Sequence, residues 1–116
     1  MPIKKEDNLP LSDSIFYIML SLVEPLHGYA IMQHIDEISH HEMQIGPATL
    51  YTSLTKLKES KLIVERDDII QSDERRKPYM LTPEGIRVLK AEIERRKRML
   101  HQGLSALEKI GEIADE

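Results

Sequence analysis

GPATLYTSLTKLKESKL, from Gly46 to Leu62, is the stretch around which the chain is organised. Gly46 followed by Pro47 marks a helix start: Gly is an acceptable N-cap, and Pro fits a first turn whose N–H has no intrahelical acceptor. Leu50, Leu54 and Leu57 recur at i, i+4 and i+7, a narrow apolar stripe at helical period. On the far side Thr49, Thr52 and Lys56 recur at i, i+3 and i+7, and no acidic residue intervenes before Glu59. A helix with leucines inward and short hydroxyls and one cation outward has a face slim enough for a DNA major groove. Taken alone, the same pattern also describes an ordinary amphipathic surface helix.

The whole chain sets the bounds. Its 116 residues make one small domain, or one plus an appendage, with 41% hydrophobic and 31% charged residues. No apolar run approaches the ~20 residues of a membrane span. Met1 to Pro10 has Lys4 and Lys5 but no apolar core or cleavage site, so no signal peptide is expected there. With no cysteine, disulfides and thiolate chemistry drop out, and a cytoplasmic location is the expectation. The net charge of −4 is unevenly spread. Residues 1–46 are net −5, residues 47–100 net +4 and residues 101–116 net −3. A basic middle between acidic ends suits a local phosphate-binding face, because fields act within a Debye length.

Upstream, Ile15, Ile18, Met19, Leu22 and Val23 keep helical spacing, with Ser12 or Asp13 as cap and Pro25 as terminator. Ile31, Ile35 and Ile38 predict a second helix from Tyr29 to about Ser39, and Met43 and Ile45 suit a short strand before the third helix. Downstream, Leu62–Arg66 and Lys77–Leu81 are short β-rich runs joined by a polar loop, a hairpin with Pro78 at an edge or start. Thr82, Pro83 and Glu84 then open a long helix reaching to about Ala114, with a seam of Ile86, Leu89, Ile93, Leu100, Leu107, Ile110 and Ala114. Arg96 and Gly103 fall on that seam, and Leu104 flanks it.

Three helices followed by a hairpin is the order of a winged helix-turn-helix, whose third helix enters the major groove while the wing follows the phosphates. The wing here ends in Arg75, Arg76 and Lys77, which suit phosphate or minor-groove contact. The last helix is longer than such a domain can cover. Leu100, Leu104, Leu107 and Ile110 therefore need a partner, and a second copy supplies one, which places two recognition helices on a near-palindromic duplex. The fold class expected is mainly α with a small β-hairpin. It divides into a flexible segment 1–10, a winged helix-turn-helix unit 11–82 and a dimerisation helix 83–116.

LHGYAIMQHI (Leu26–Ile35), ATLYTSLTKLKESKLI (Ala48–Ile63) and RRKPYMLTPEG (Arg75–Gly85), in that order, resemble the PadR family of bacterial transcriptional regulators. The likeness spans roughly residues 11–100 and is to the short members with a single C-terminal helix. It implies a homodimeric repressor that leaves its operator when a small-molecule effector binds. It also implies that Thr49, Tyr51, Thr52 and Lys56 meet DNA from the recognition helix, and Arg75, Arg76 and Lys77 from the wing. Drug-sensing short members carry a Trp midway along the last helix that stacks planar ligands; the matching position here is Arg96, and the chain has no Trp. Arg96 can instead favour an anionic or aromatic effector, or pair with Glu92 at i−4.

Other chemistry finds little support. His34, His40, His41 and Glu42 are near in sequence, but there is no HxxxH pair to make a metal site. No nucleophile–base motif or phosphate-cradling Gly loop is present, so no enzyme and no cofactor are expected. The competing function is a winged-helix module that binds protein through its long helix and no DNA.

Overall fold

The computed structural model describes residues 9–66 and 77–111. The order is α1 (Asp13–Ser21), α2 (Gly28–Ile38), α3 (Pro47–Glu59), β1 (Ile63–Glu65), β2 (Tyr79–Leu81) and α4 (Pro83–Glu108). Residues 1–8, the hairpin tip with Arg75 and Arg76, and the expected helix end at Ala114 lie outside the described residues.

Ser12 caps α1, its hydroxyl accepting the Ile15 N–H at 3.2 Å. The helix stops at Ser21, four residues before Pro25, whose missing N–H leaves the Ser21 carbonyl without an i+4 donor, as expected, and the next carbonyl, that of Leu22, is taken by the Leu81 N–H at 3.0 Å. That bond ties α1 to the hairpin. At the end of α2, His40 and His41 adopt left-handed φ values of 54° and 67°. His41 N–H then reaches the Asp36 carbonyl and His40 N–H the Glu37 carbonyl, closing the last turn.

The strand expected at Met43 and Ile45 does not form. Ser39 Oγ accepts the Met43 N–H at 3.0 Å and lies 3.3 Å from the Met43 carbonyl, so the polar groups a strand needs are spent in a local turn. Ile45 is buried in the core instead.

The third helix ends as the second does. Lys61 takes φ 62°, Leu62 N–H reaches the Leu57 carbonyl at 3.0 Å and Lys61 N–H reaches Lys58. Leu57 and Leu62 are both buried, and the turn redirects the chain into β1. β1 and β2 pair antiparallel with Ile63 opposite Leu81 and Glu65 opposite Tyr79. Leu26 adds a further rung, exchanging hydrogen bonds with Tyr79 at 3.0 and 2.8 Å. The sheet thus holds the α1–α2 connection as well as the wing.

Thr82 caps α4 and locks it in place: its hydroxyl accepts the Gly85 N–H at 3.0 Å and donates to the Lys61 carbonyl at 2.8 Å. Gly85 lies so close to Leu62 that a Cβ there would overlap the Leu62 carbonyl oxygen. The core joins Ile18 and Met19 of α1 and Leu22 just after it to Ile31 and Ile35, the three α3 leucines, the hairpin and α4. From α4 it takes Gly85, Val88, Leu89 and Glu92. Leu89 is therefore a core residue and not part of the outer seam, because positions 85, 88, 89 and 92 share one helical stripe while Ile86 and Ile93 lie beside it, exposed. At 1.5 Å per residue the 26 residues of α4 span about 39 Å, and no described residue beyond Glu92 is buried.

Candidate nucleic-acid interface

The α3 helix is positioned by its leucines. Leu50, Leu54 and Leu57 are buried to 4% exposure or less, and Thr49, Thr52 and Lys56 face solvent. Thr55, a hydroxyl the spacing argument passed over, is also exposed, with its side chain folded back on the Tyr51 carbonyl at 2.9 Å. The first turn carries no acid, and its last turn carries Lys56 and Lys58. Lys58 is drawn to Glu65 of β1 at 3.4 Å, an exposed and hence weak pair. Lys56 has no ion-pair partner among the described residues. The face is thus neutral to cationic, narrow and hydroxyl-rich.

Tyr51 is half exposed, with its ring laid over the first turn of α2: a Cβ on Gly28 would overlap the Tyr51 hydroxyl and sit 2.8 Å from Cζ. Gly28 thus accommodates Tyr51 at the junction of α2 and α3. Of the wing cations, Lys77 is exposed just ahead of the buried Pro78, while Arg75 and Arg76 lie outside the described residues.

Between the start of α1 and the outer face of α3 runs a groove of about 410 Å³. Ser12 and Ser14 form one wall; Thr49, Thr52, Ser53 and Lys56 form the other. Nothing in sequence announces this pairing, since the walls are more than thirty residues apart and only tertiary packing joins them.

An ionic cluster joins α4 to the start of α1. Glu92 is fully buried, and its carboxylate accepts from Arg95 at 2.9 and 2.7 Å and from Arg96 at 2.6 Å. The Arg95 guanidinium, with help from Arg96 and the Leu11 backbone, outweighs burial and holds the Glu92 carboxyl down at about 2. Arg96 also donates to the Leu11 carbonyl at 3.1 Å, pairs with Asp13 at 3.1 Å and lies 4.1 Å over the Phe16 ring. Of the two uses open to Arg96 in the sequence, the i−4 pair with Glu92 is present, joined by contacts to α1 that spacing along α4 has no means to reveal. His34 and His41, near in sequence, go separate ways: one to Ser21 at 2.9 Å, the other to Asp36 at 3.0 Å.

The outer stripe of α4 is apolar and open. Ile93, Leu100, Leu107 and Ile110 are 42 to 70% exposed, and Leu104 is half-buried. Among the described residues, no helix is long and apolar enough to cross a membrane.

Residues 17–91 match the model of the transcriptional regulator PadR-like family. A PadR family transcriptional regulator from Eggerthella lenta has a similar structure, with TM-score 0.62, 30% identity, and coverage of 87% of this chain and 83% of that one. A PadR-like transcription factor from Bacteroides fragilis aligns with TM-score 0.61 and 28% identity, covering 81% of this chain and 88% of the other. An uncharacterised 37.1 kDa protein of transposon Tn4556 from Streptomyces fradiae is 32% identical over 89 residues, 76% of this chain and 24% of that protein. The chain thus spans about a quarter of that relative's length. The match extends from within α1 to within α4, and the chain belongs to the PadR-like family, whose members are transcriptional regulators and not enzymes.

Proposed function

We propose that the chain is a homodimeric repressor that reads a near-palindromic operator and releases it when a small-molecule effector binds. The carrying observation is the division of α3: its leucines are buried and Thr49, Thr52 and Lys56 stand outward on a face without carboxylates in its first turn. In this reading Thr49, Tyr51, Thr52 and Lys56 contact the major groove, and Arg75, Arg76 and Lys77 contact phosphate from the wing. The apolar stripe from Ile93 to Ile110 supports a second copy as partner, because an exposed row of large aliphatic residues is covered in a stable protein. Such a regulator works in the cytoplasm.

The test is fluorescence anisotropy of the full chain against duplex DNA from upstream of its own gene, at several salt concentrations. Saturable binding that weakens steeply with salt, and more strongly for this duplex than for a scrambled one, is expected. Equal, weak binding to both duplexes would overturn the operator reading and leave α4 as a protein-binding element.

A further inference from the structure

We infer that the groove between the start of α1 and the outer face of α3 seats a backbone phosphate of DNA, so that α1 clamps the duplex beside the helix that reads it. The inference rests on the proposed role of α3 and adds Ser14 and Ser53 to the residues that touch DNA.

The groove's polar lining is five hydroxyls and one ammonium: Ser12, Ser14, Thr49, Thr52, Ser53 and Lys56. No carboxylate lines it. The nearest acid in sequence, Asp13, is held instead by Arg96 at 3.1 Å. Ser53 is the decisive residue. It is 8% exposed, lines the groove, and its hydroxyl has no hydrogen-bond partner among the described residues. The hydroxyl oxygen itself keeps contact with solvent, since every fully enclosed polar atom of the described residues has a partner. Ser53 lines the groove, so a ligand seated there can supply the missing partner.

The first turn of α1 forms the other wall. Ser12 Oγ satisfies the Ile15 N–H and the Ser12 carbonyl takes the Phe16 N–H, while the N–H groups of Asp13 and Ser14 have no intrahelical acceptor. Positive dipole, hydroxyl donors and the Lys56 ammonium are gathered around one space. A phosphodiester presents two anionic oxygens able to accept from all three. Because Thr49, Thr52 and Lys56 belong both to this groove and to the outward face of α3, a phosphate seated here is continuous with DNA lying on that face.

Two substitutions separate binding from folding. Ser14→Glu places an acid in the first turn of α1, where the helix dipole favours it, yet sets a negative charge in the groove. Ser53→Ala removes the hydroxyl and raises helix propensity. Gln102→Glu, on an exposed turn of α4, carries the same charge change as a control. Each full-length variant is titrated by anisotropy against the upstream duplex, with circular dichroism melts alongside. Ser14→Glu is expected to weaken binding about tenfold or more and Ser53→Ala several-fold, with melting temperatures at or above wild type and Gln102→Glu close to wild type. Duplexes carrying one neutral methylphosphonate at a time should show a sensitive position flanking the major-groove contact, and Ser14→Glu should lose that sensitivity. If wild type binds and both serine variants titrate like it, or if no flanking position is sensitive, this inference fails while the role of α3 stands. If wild type binds no duplex, both fall together.

Discussion

Replacing Glu92 by Gln tests the ionic cluster that fixes α4 to the body. The carboxylate is fully buried, accepts three guanidinium hydrogen bonds and titrates at about 2, against 4.5 when unfolded. That depression corresponds to about 3 kcal/mol of folding stability at neutral pH. Gln keeps the shape and one acceptor oxygen but turns an NH₂ toward a guanidinium, donor against donor. Arg95 and Arg96 are roughly a third exposed and recover part of their hydration, so the net loss is about 2 kcal/mol. For a chain of this size that lowers the melting temperature by on the order of 10 °C. The sign of the pH dependence follows from the lowered value. Wild type holds the full contribution above its unfolded pKa of 4.5 and loses it as pH falls through the folded value near 2, while the amide does not titrate. Circular dichroism melts at one fixed protein concentration should therefore show a gap at neutral pH that closes in acid. A gap under about 3 °C at neutral pH, or one that stays constant down to about pH 2, would refute the account.

Thr52→Glu should abolish operator binding with little change in melting temperature, because Thr52 is solvent-facing on α3 and the acid would meet phosphate and base edges; undiminished anisotropy would remove α3 from the interface. Gly85→Ala should destabilise by about 3 kcal/mol, since its methyl meets the Leu62 backbone, whereas Gly28→Ala meets only the end of the Tyr51 side chain and should cost under about 1 kcal/mol; denaturant titration ranks them. Leu100→Asp with Leu107→Asp should shift the sedimentation coefficient to that of a single chain while the helical signal of residues 13–92 persists; an unchanged mass would place the self-association surface elsewhere.

What the sequence disclosed tracks with local physics. The α3 stripe, the Ser12 and Thr82 caps and the Pro47 and Pro83 first turns are written in residues a few positions apart, and the structure uses them so. Misreadings came where a distant partner decided. Met43 and Ile45 have strand propensity, but the Ser39 hydroxyl captures their turn. Leu89 fits a heptad seam as well as a core stripe, and only the position of α1 and the hairpin assigns it. For the interface, the outward face of α3 was legible from period alone; the opposing wall at Ser12 and Ser14 was not, because no periodicity links α1 to α3.

The boundary between the two roles of α4 falls at Glu92 to Arg96. Before it, every buried residue of α4 faces the winged-helix body; after it, the apolar residues face outward. Arg96 is the residue that crosses this boundary, since its contacts other than Glu92 are all on the segment Leu11 to Phe16: a carbonyl, a carboxylate and an aromatic face. A ligand seeking the guanidinium would therefore have to replace those contacts and free the start of α1. Ser12 and Ser14, which belong to that same start, form a wall of the groove shared with α3. The distance from an event on α4 to the outward face of α3 is thus one helix turn of α1, spanned by adjacent residues of one segment. Loosening Arg96 need not travel through the core to be felt there, and its route is testable residue by residue. Phe16→Leu removes the aromatic face and leaves the charge unchanged, so operator affinity should stay close to wild type. Asp13→Asn removes an acid from the end of α1 nearest the groove while Arg96 keeps Glu92 as its partner, so affinity should rise at low salt, and weaker binding would refute this placement of the phosphate.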